Sequence, residues 1–136
     1  MEFTLDELID LLAGRRGDLQ VGVIPLEVRQ HFGCSREEVF LSSESARHII
    51  DEHGDHIGKN ELLRIPEILT KGMWVADRKL ACSVSFQTET PAIRLLAAIK
   101  ITRNHSRMYV STLHRAKKRQ TKSKLKRGQL LRPHWT

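Results

Sequence analysis

A lysine, a threonine and a histidine near the end of the chain could together bind an anion and transfer protons. They lie in "AIRLLAAIKIT" and "MYVSTLHRA", two segments that alternate apolar and polar residues as strands do. If "RNHSR" is the hairpin loop between them, Lys100, Thr112 and His114 share the face opposite the Ile/Leu stripe. The predicted cross-strand pairs are Lys100–Val110, Ala98–Thr112 and Leu96–His114. The alternative is three ordinary solvated positions on an exposed sheet face.

A second histidine, His53, comes at the end of a predicted helix, "SARHIIDEH". The helical period places it on the apolar face with Ala46 and Ile49, whereas His48 points away. The negative end of the helix dipole favours a protonated imidazole at this position. His53 is therefore a candidate acid or base, and the alternative is a hydrogen-bonded histidine at the edge of the core.

Metal binding is another use for these histidines. The ligand types around the helix end are His48, Asp51, His53, Asp55 and His56. Gly54 interrupts the helix between them, and the chain has no H-E-x-x-H motif and no paired C-x-x-C motif. The two cysteines match no disulfide framework, and Cys82 falls on the apolar side of a strand. We therefore expect neither a metal ion nor another cofactor.

Charge is distributed very unevenly along the chain. Residues 1–90 hold 10 lysines and arginines against 16 acidic residues, whereas residues 91–136 hold 13 basic residues and no acidic one. A basic block of this kind favours a polyanion, because each neutralised phosphate releases counterions. The predicted nucleic-acid-binding residues are Lys117, Lys118, Arg119, Lys122, Lys124, Lys126 and Arg127. The alternatives are an acidic protein partner, the acidic half of the same chain, or a tail that serves solubility.

Membrane association is not expected. No apolar stretch approaches the roughly 20 residues that span a bilayer. The basic segment also lacks the aromatic-rich apolar face of a helix that lies on a membrane surface. We expect a cytoplasmic protein.

Helical segments precede strands in the predicted fold. "TLDELIDLLAG" has a capping box, "SREEV" predicts one helical turn, and "SSESARHIIDEHG" and "RIPEILTKG" predict helices that end at glycine. "VFL", "LACSVSFQT" and the two segments that flank "RNHSR" predict strands. The predicted class is α+β, with N-terminal helices packed on one face of a four-stranded antiparallel sheet.

The order of these segments resembles a known family. "VFLSSESARHIIDEH", "IPEIL", "AAIKIT" and "YVSTLHRAKKRQTKSKLKRG" are similar to motifs of phage-associated nuclease domains of the barnase–EndoU–colicin–RelE-like (BECR-type) group. The resemblance covers roughly residues 39–131, preceded by a helical segment at residues 1–38 and followed by a basic extension to residue 136. It implies a barnase-like RNase fold and metal-independent RNA cleavage.

The resemblance also implies site residues. The family's recurrent positions carry onto His53, Lys100, Thr112 and Arg115, and His114 falls beside them. A histidine can take either proton-transfer role, and the lysine and arginine can stabilise charge on the phosphorane. The implied function is a toxin- or phage-type endoribonuclease that acts on RNA such as tRNA or rRNA. An acidic antitoxin or immunity protein is the implied protein partner.

Two rival functions follow from the same residues. A degenerate domain of this fold would bind RNA and cut nothing. "VRQHFGCSREEVFLS" also faintly resembles a helix-turn-helix, with Gly33 at the turn, which would indicate a DNA-binding regulator. Two observations count against the DNA-binding regulator. Glu37 and Glu38 would face the DNA phosphates, and the basic block lies elsewhere in the chain.

Overall fold

A seven-stranded mixed sheet organises the protein. The computed structural model describes residues 2–133, apart from the side chain of Arg78. The strands lie in the order β1-β2-β6-β5-β4-β3-β7, and six helices are described with them. The elements are α1 (Leu5–Leu12), β1 (Leu19–Val23), α2 (Leu26–Phe32), β2 (Glu38–Leu41), α3 (Ser43–His53), α4 (Lys59–Leu62), α5 (Ile65–Lys71), β3 (Met73–Arg78), β4 (Ala81–Gln87), β5 (Arg94–Ile101), β6 (Met108–Ala116), α6 (Lys118–Arg127) and β7 (Gln129–Arg132). No described helix is long and apolar enough to cross a bilayer.

The predicted α+β class is correct, but the four-stranded antiparallel sheet is wrong. Strands β1, β3 and β7 were missed, and β2 pairs with β6 in parallel. β1 and β7 are short segments with little alternation, and they are strands because each pairs with a neighbour at one edge of the sheet. β1 belongs to residues 1–38, so this segment contributes a strand to the sheet as well as two helices.

Local signals placed three of the six described helices correctly, namely α1, α3 and α5. The Thr4 hydroxyl accepts from the Glu7 N–H, and the Glu7 carboxylate accepts from the Thr4 N–H, which completes the predicted capping box of α1. α3 ends at Gly54 as predicted, and Pro66 lies in the first turn of α5.

The predicted helical turn at "SREEV" is wrong. β2 begins at Glu38, and Val39 and Leu41 alternate into the core while the backbone pairs with β1 and β6. Long-range pairing and burial outweigh the local Ser-x-x-Glu signal here. The helix-turn-helix interpretation fails for the same reason, because its second helix is a strand.

The main core lies on one face of the sheet. A row of fully buried side chains crosses four adjacent strands at Trp74, Val84, Ala97 and Leu113. α5 packs against both β1 and β4, which are not neighbours in the sheet, so the sheet curls around this helix.

The opposite face carries a second, smaller buried layer. The next row across the same strands is Met73, Ser85, Leu96 and His114, and the first three are buried but lie outside the main core. α6 packs against β3 and β7 and covers this layer, with Thr121 buried on its inner side. The predicted arrangement, with helices on one face only, is therefore also wrong.

The basic segment is a helix held at both ends by the sheet. α6 follows β6 directly, and its C-cap Gly128 leads into β7, which pairs with β3. A Cβ at Gly128 would collide with the Ala76 carbonyl oxygen, so the chain passes too close to β3 for a side chain. This fixes the position of the positive charges relative to β5 and β6.

Candidate functional site

His53 and His114 are neighbours because α3 continues where β2 stops. Parallel pairing puts Phe40 level with Tyr109, and α3 begins two residues after Leu41. The C-terminal end of α3 packs beside β6 at His114, where the two ring centroids are 5.4 Å apart with an interplanar angle of 36°.

The hydrogen bonds around these rings indicate which nitrogen atoms are available. His114 Nδ1 lies 2.9 Å from the Arg115 carbonyl oxygen, which can only accept, so Nδ1 carries the proton. His114 Nε2 is then the atom that can take or give a proton. His53 is half-buried, and its Nε2 lies 3.8 Å from the Glu52 carboxylate.

A basic cleft of about 380 Å³ opens beside His114. One wall is α6 and the floor includes the buried Leu96 of β5. The lining residues are Leu96, His114, Arg119, Gln120, Ser123, Lys124 and Arg127. Three of them are cations and none is a carboxylate, so the cleft suits an anion.

The seven predicted nucleic-acid-binding residues all lie on α6 or at its N-cap, Lys117. Six of them are exposed, and Lys124 is half-buried with its Nζ 3.5 Å from Asp77 Oδ1. Only three line the cleft, namely Arg119, Lys124 and Arg127. The helix therefore offers a cationic wall toward His114 and further exposed cations around its remaining surface.

The predicted hairpin register is correct near His114 and wrong near Lys100. Leu96 pairs with His114 and Ala98 pairs with Thr112, as expected. Lys100 pairs with Tyr109 instead of Val110, because Ser111 is an extra residue in a β-bulge. The Ser111 hydroxyl donates to the Ala98 carbonyl oxygen at 3.2 Å within this bulge.

Thr112 and Lys100 lie on the same face of the sheet as His114, at increasing distances from it. Val110 and Leu113 are fully buried in the main core, so Thr112 and His114 face the other way. Lys100 is exposed and lies about 13 Å along β5 from Leu96. Lys100 is therefore too far away to contact the same group as the two histidines.

Arg115 lies on the other face of the sheet. It pairs with Leu95 and lines a separate cavity of about 130 Å³ together with Glu61 and Glu89. Strand alternation causes this separation, since consecutive residues point to opposite faces. The structure does not bring Arg115 to the histidine pair, where Arg119 and Arg127 are the guanidinium groups that line the cleft.

The remaining potential ligands and nucleophiles do not assemble into a site. Within residues 2–133, no group of three or more His, Cys, Asp or Glu side chains lies close enough to hold a metal ion. Cys34 and Cys82 are buried free thiols, and burial raises the pKa of both, which disfavours the nucleophilic thiolate.

Comparisons with known proteins leave the family resemblance as a prediction, because no family model, no curated protein and no solved structure matches this chain.

Proposed function

We propose that this protein is a metal-independent endoribonuclease that holds RNA against α6 and cuts it between His53 and His114. The observation that carries the proposal is the pair of imidazole rings, 5.4 Å apart, beside a cleft lined by two arginines and a lysine. This combination supplies two proton-transfer groups and a cationic binding site for a phosphodiester at one place.

The chemistry needs no group beyond those side chains and the RNA. One imidazole accepts the proton of a ribose 2′-OH, and the 2′-oxygen attacks the adjacent phosphorus. The bond from phosphorus to the 5′-oxygen breaks, and the other ring, as imidazolium, protonates that oxygen. The products are a 2′,3′-cyclic phosphate and a free 5′-hydroxyl. Arg119 and Arg127 stabilise the extra negative charge that develops on the phosphorane.

The donor set favours this chemistry over a divalent-metal mechanism. Carboxylates are the usual protein ligands of Mg²⁺, and the residues lining the cleft include none. Arg119 and Arg127 would also repel a divalent ion. Cellular RNA such as tRNA or rRNA is the proposed substrate, and an acidic protein that covers α6 is the proposed inhibitor.

The test is cleavage of total tRNA and rRNA by the purified protein in EDTA, followed by analysis of the product ends. We expect 2′,3′-cyclic phosphate ends, and we expect no cleavage of the same RNA when 2′-O-methyl groups block its 2′-oxygens. Cleavage that EDTA abolishes and Mg²⁺ restores would overturn the mechanism. Tight RNA binding with no cleavage would instead identify a binding module without catalysis.

A further inference from the structure

Arg107 lies against two aromatic rings at the end of β6 that is remote from His114. Its guanidinium carbon is 4.4 Å from the centroid of the Phe40 ring and 5.6 Å from the centroid of the Tyr109 ring. We propose that these three residues, here called the stacking platform, bind an unpaired base of single-stranded RNA. The choice of RNA as ligand rests on the proposed function.

The stacking platform lies on the same face of the sheet as the basic cleft. Tyr109 and His114 both alternate with core residues of β6, and the bulge at Ser111 preserves this shared orientation. Phe40 pairs with Tyr109 across the junction of β2 and β6. Tyr109 pairs with Lys100 and His114 pairs with Leu96, and these two residues of β5 lie about 13 Å apart. The stacking platform and the histidine pair are therefore separated by a similar distance, which a short run of extended nucleotides can span.

The geometry of the stacking platform suits a nucleobase. The two rings lie 6.1 Å apart, tilted by 43°, and the guanidinium carbon of the exposed Arg107 lies over both of them. Bases of single-stranded RNA stack on aromatic rings and on arginine guanidinium planes. The Tyr109 hydroxyl donates to Asp18 Oδ2 at 3.0 Å, which holds its ring in place.

Lys100 completes this subsite. It is exposed and pairs with Tyr109, so its ammonium can reach a phosphate next to the stacked base. The family resemblance associates Lys100 with catalysis, whereas this proposal gives Lys100 a role in substrate binding. Selectivity for single strands follows, because the bases of a duplex are already stacked on one another and cannot reach the guanidinium.

A purely structural role for Arg107 is the competing explanation, since cation–π contacts stabilise the join between β2 and β6 in either case. The two explanations differ in whether binding depends on a base. We would therefore measure affinity for short 2′-O-methyl RNA strands, which cannot be cut, carrying one abasic nucleotide at each position in turn.

The wild-type protein should lose about tenfold in affinity when one particular base is missing. Arg107→Lys keeps the charge and loses the guanidinium plane, so it should bind the intact strand more weakly and show no further loss with the abasic strand. Arg103→Lys is the matched control, because Arg103 is exposed in the same loop, and it should behave as the wild type. The wild type should bind duplex RNA more weakly than the single strand. Arg107→Lys should bind the duplex and the single strand equally.

Base-independent binding by the wild type, or unchanged base dependence in Arg107→Lys, would overturn the stacking platform. This binding test is independent of the test for RNA cleavage. RNA cleavage combined with base-independent binding would reject the platform and leave the nuclease proposal standing. Base-dependent binding without cleavage would reject the nuclease and leave the platform standing.

Discussion

Lys124 Nζ lies 3.5 Å from Asp77 Oδ1, and the same carboxylate accepts a hydrogen bond from Ser83 of β4. One acidic side chain of β3 thus connects the basic helix to two strands of the sheet. The Asp77 side chain is only 15% exposed, so most of its surface is in contact with the protein.

Asp77→Asn should loosen α6 from the sheet. The substitution keeps a hydrogen-bonding group beside Ser83 and removes the charge that attracts Lys124, so we expect a loss of about 1 kcal/mol in the free energy of unfolding. Urea denaturation measures this loss. Lys126→Gln, at an exposed position of the same helix, is the control and should leave stability unchanged within about 0.5 kcal/mol. Equal stability of Asp77→Asn and the wild type would show that the ion pair does not anchor α6.

His53 and His48 should respond very differently to substitution. His53→Ala removes one of the two paired rings and should slow RNA cleavage by about two orders of magnitude or more. His48 forms an exposed pair with Glu52 at 3.3 Å, worth under about 1 kcal/mol, so His48→Ala should cut RNA within a few-fold of the wild-type rate. A folded His53→Ala protein with near-normal cleavage would contradict the assignment, as would a larger defect in His48→Ala.

RNA affinity should depend steeply on salt through α6. In single-strand binding, each phosphate contact contributes a slope of about 0.7 to a log–log plot of affinity against salt. A variant with five exposed cations replaced by glutamine should flatten this slope by roughly two or more units. The five positions are Lys117, Lys118, Arg119, Lys122 and Lys126.

The matched control for the salt experiment carries the same change in charge on other elements. Its five glutamine substitutions replace Arg15, Arg16, Arg36, Lys59 and Lys71, which are exposed. This control should keep most of the slope. If both variants flatten the slope equally, RNA responds to net charge and does not follow α6.

Tyr109 should titrate above the ordinary range for tyrosine. Burial raises the pKa of Tyr109, the Asp18 hydrogen bond and charge raise it further, and Arg107 opposes them. The chain has one tyrosine, so the absorbance of phenolate reports this group alone. Asp18→Asn should lower the measured pKa, and an unchanged value would show that Asp18 does not act on the ring.

The same shift makes stability depend on alkaline pH. Because the pKa is higher in the folded state, the unfolded chain loses the phenolic proton first as pH rises. The free energy of unfolding should therefore fall above the ordinary tyrosine pKa of about 10. Asp18→Asn should weaken this dependence, which denaturation at several alkaline pH values would measure.

Short-range patterns selected His53 and His114 as separate candidates but did not predict that their rings lie together. Helical phase separated His53 from His48, and the assumed hairpin loop at "RNHSR" paired Leu96 with His114. The register failed at Lys100 because a bulge adds one residue to one strand, and nothing in the alternation of "MYVSTLHRA" marks Ser111 as extra.

The missed elements depend on distant partners. β7 is four residues long and is defined by its pairing with β3, more than fifty residues earlier in the chain. The parallel pairing of β2 with β6 has no local signature, because each strand reads the same whichever direction its neighbour runs. The placement of Arg115 on the far face follows from alternation and could have been inferred from the same pattern that selected His114.

The attachment of α6 at both ends has a consequence for the entropy of binding. A disordered basic tail would give up conformational freedom each time it settled on a polyanion, and this loss would offset much of the electrostatic attraction. α6 has already been ordered by folding, between β6 on one side and β7 on the other. The backbone that carries its cations is therefore preorganised. An RNA strand that binds along α6 would gain their attraction without the entropic cost of ordering this segment of the protein.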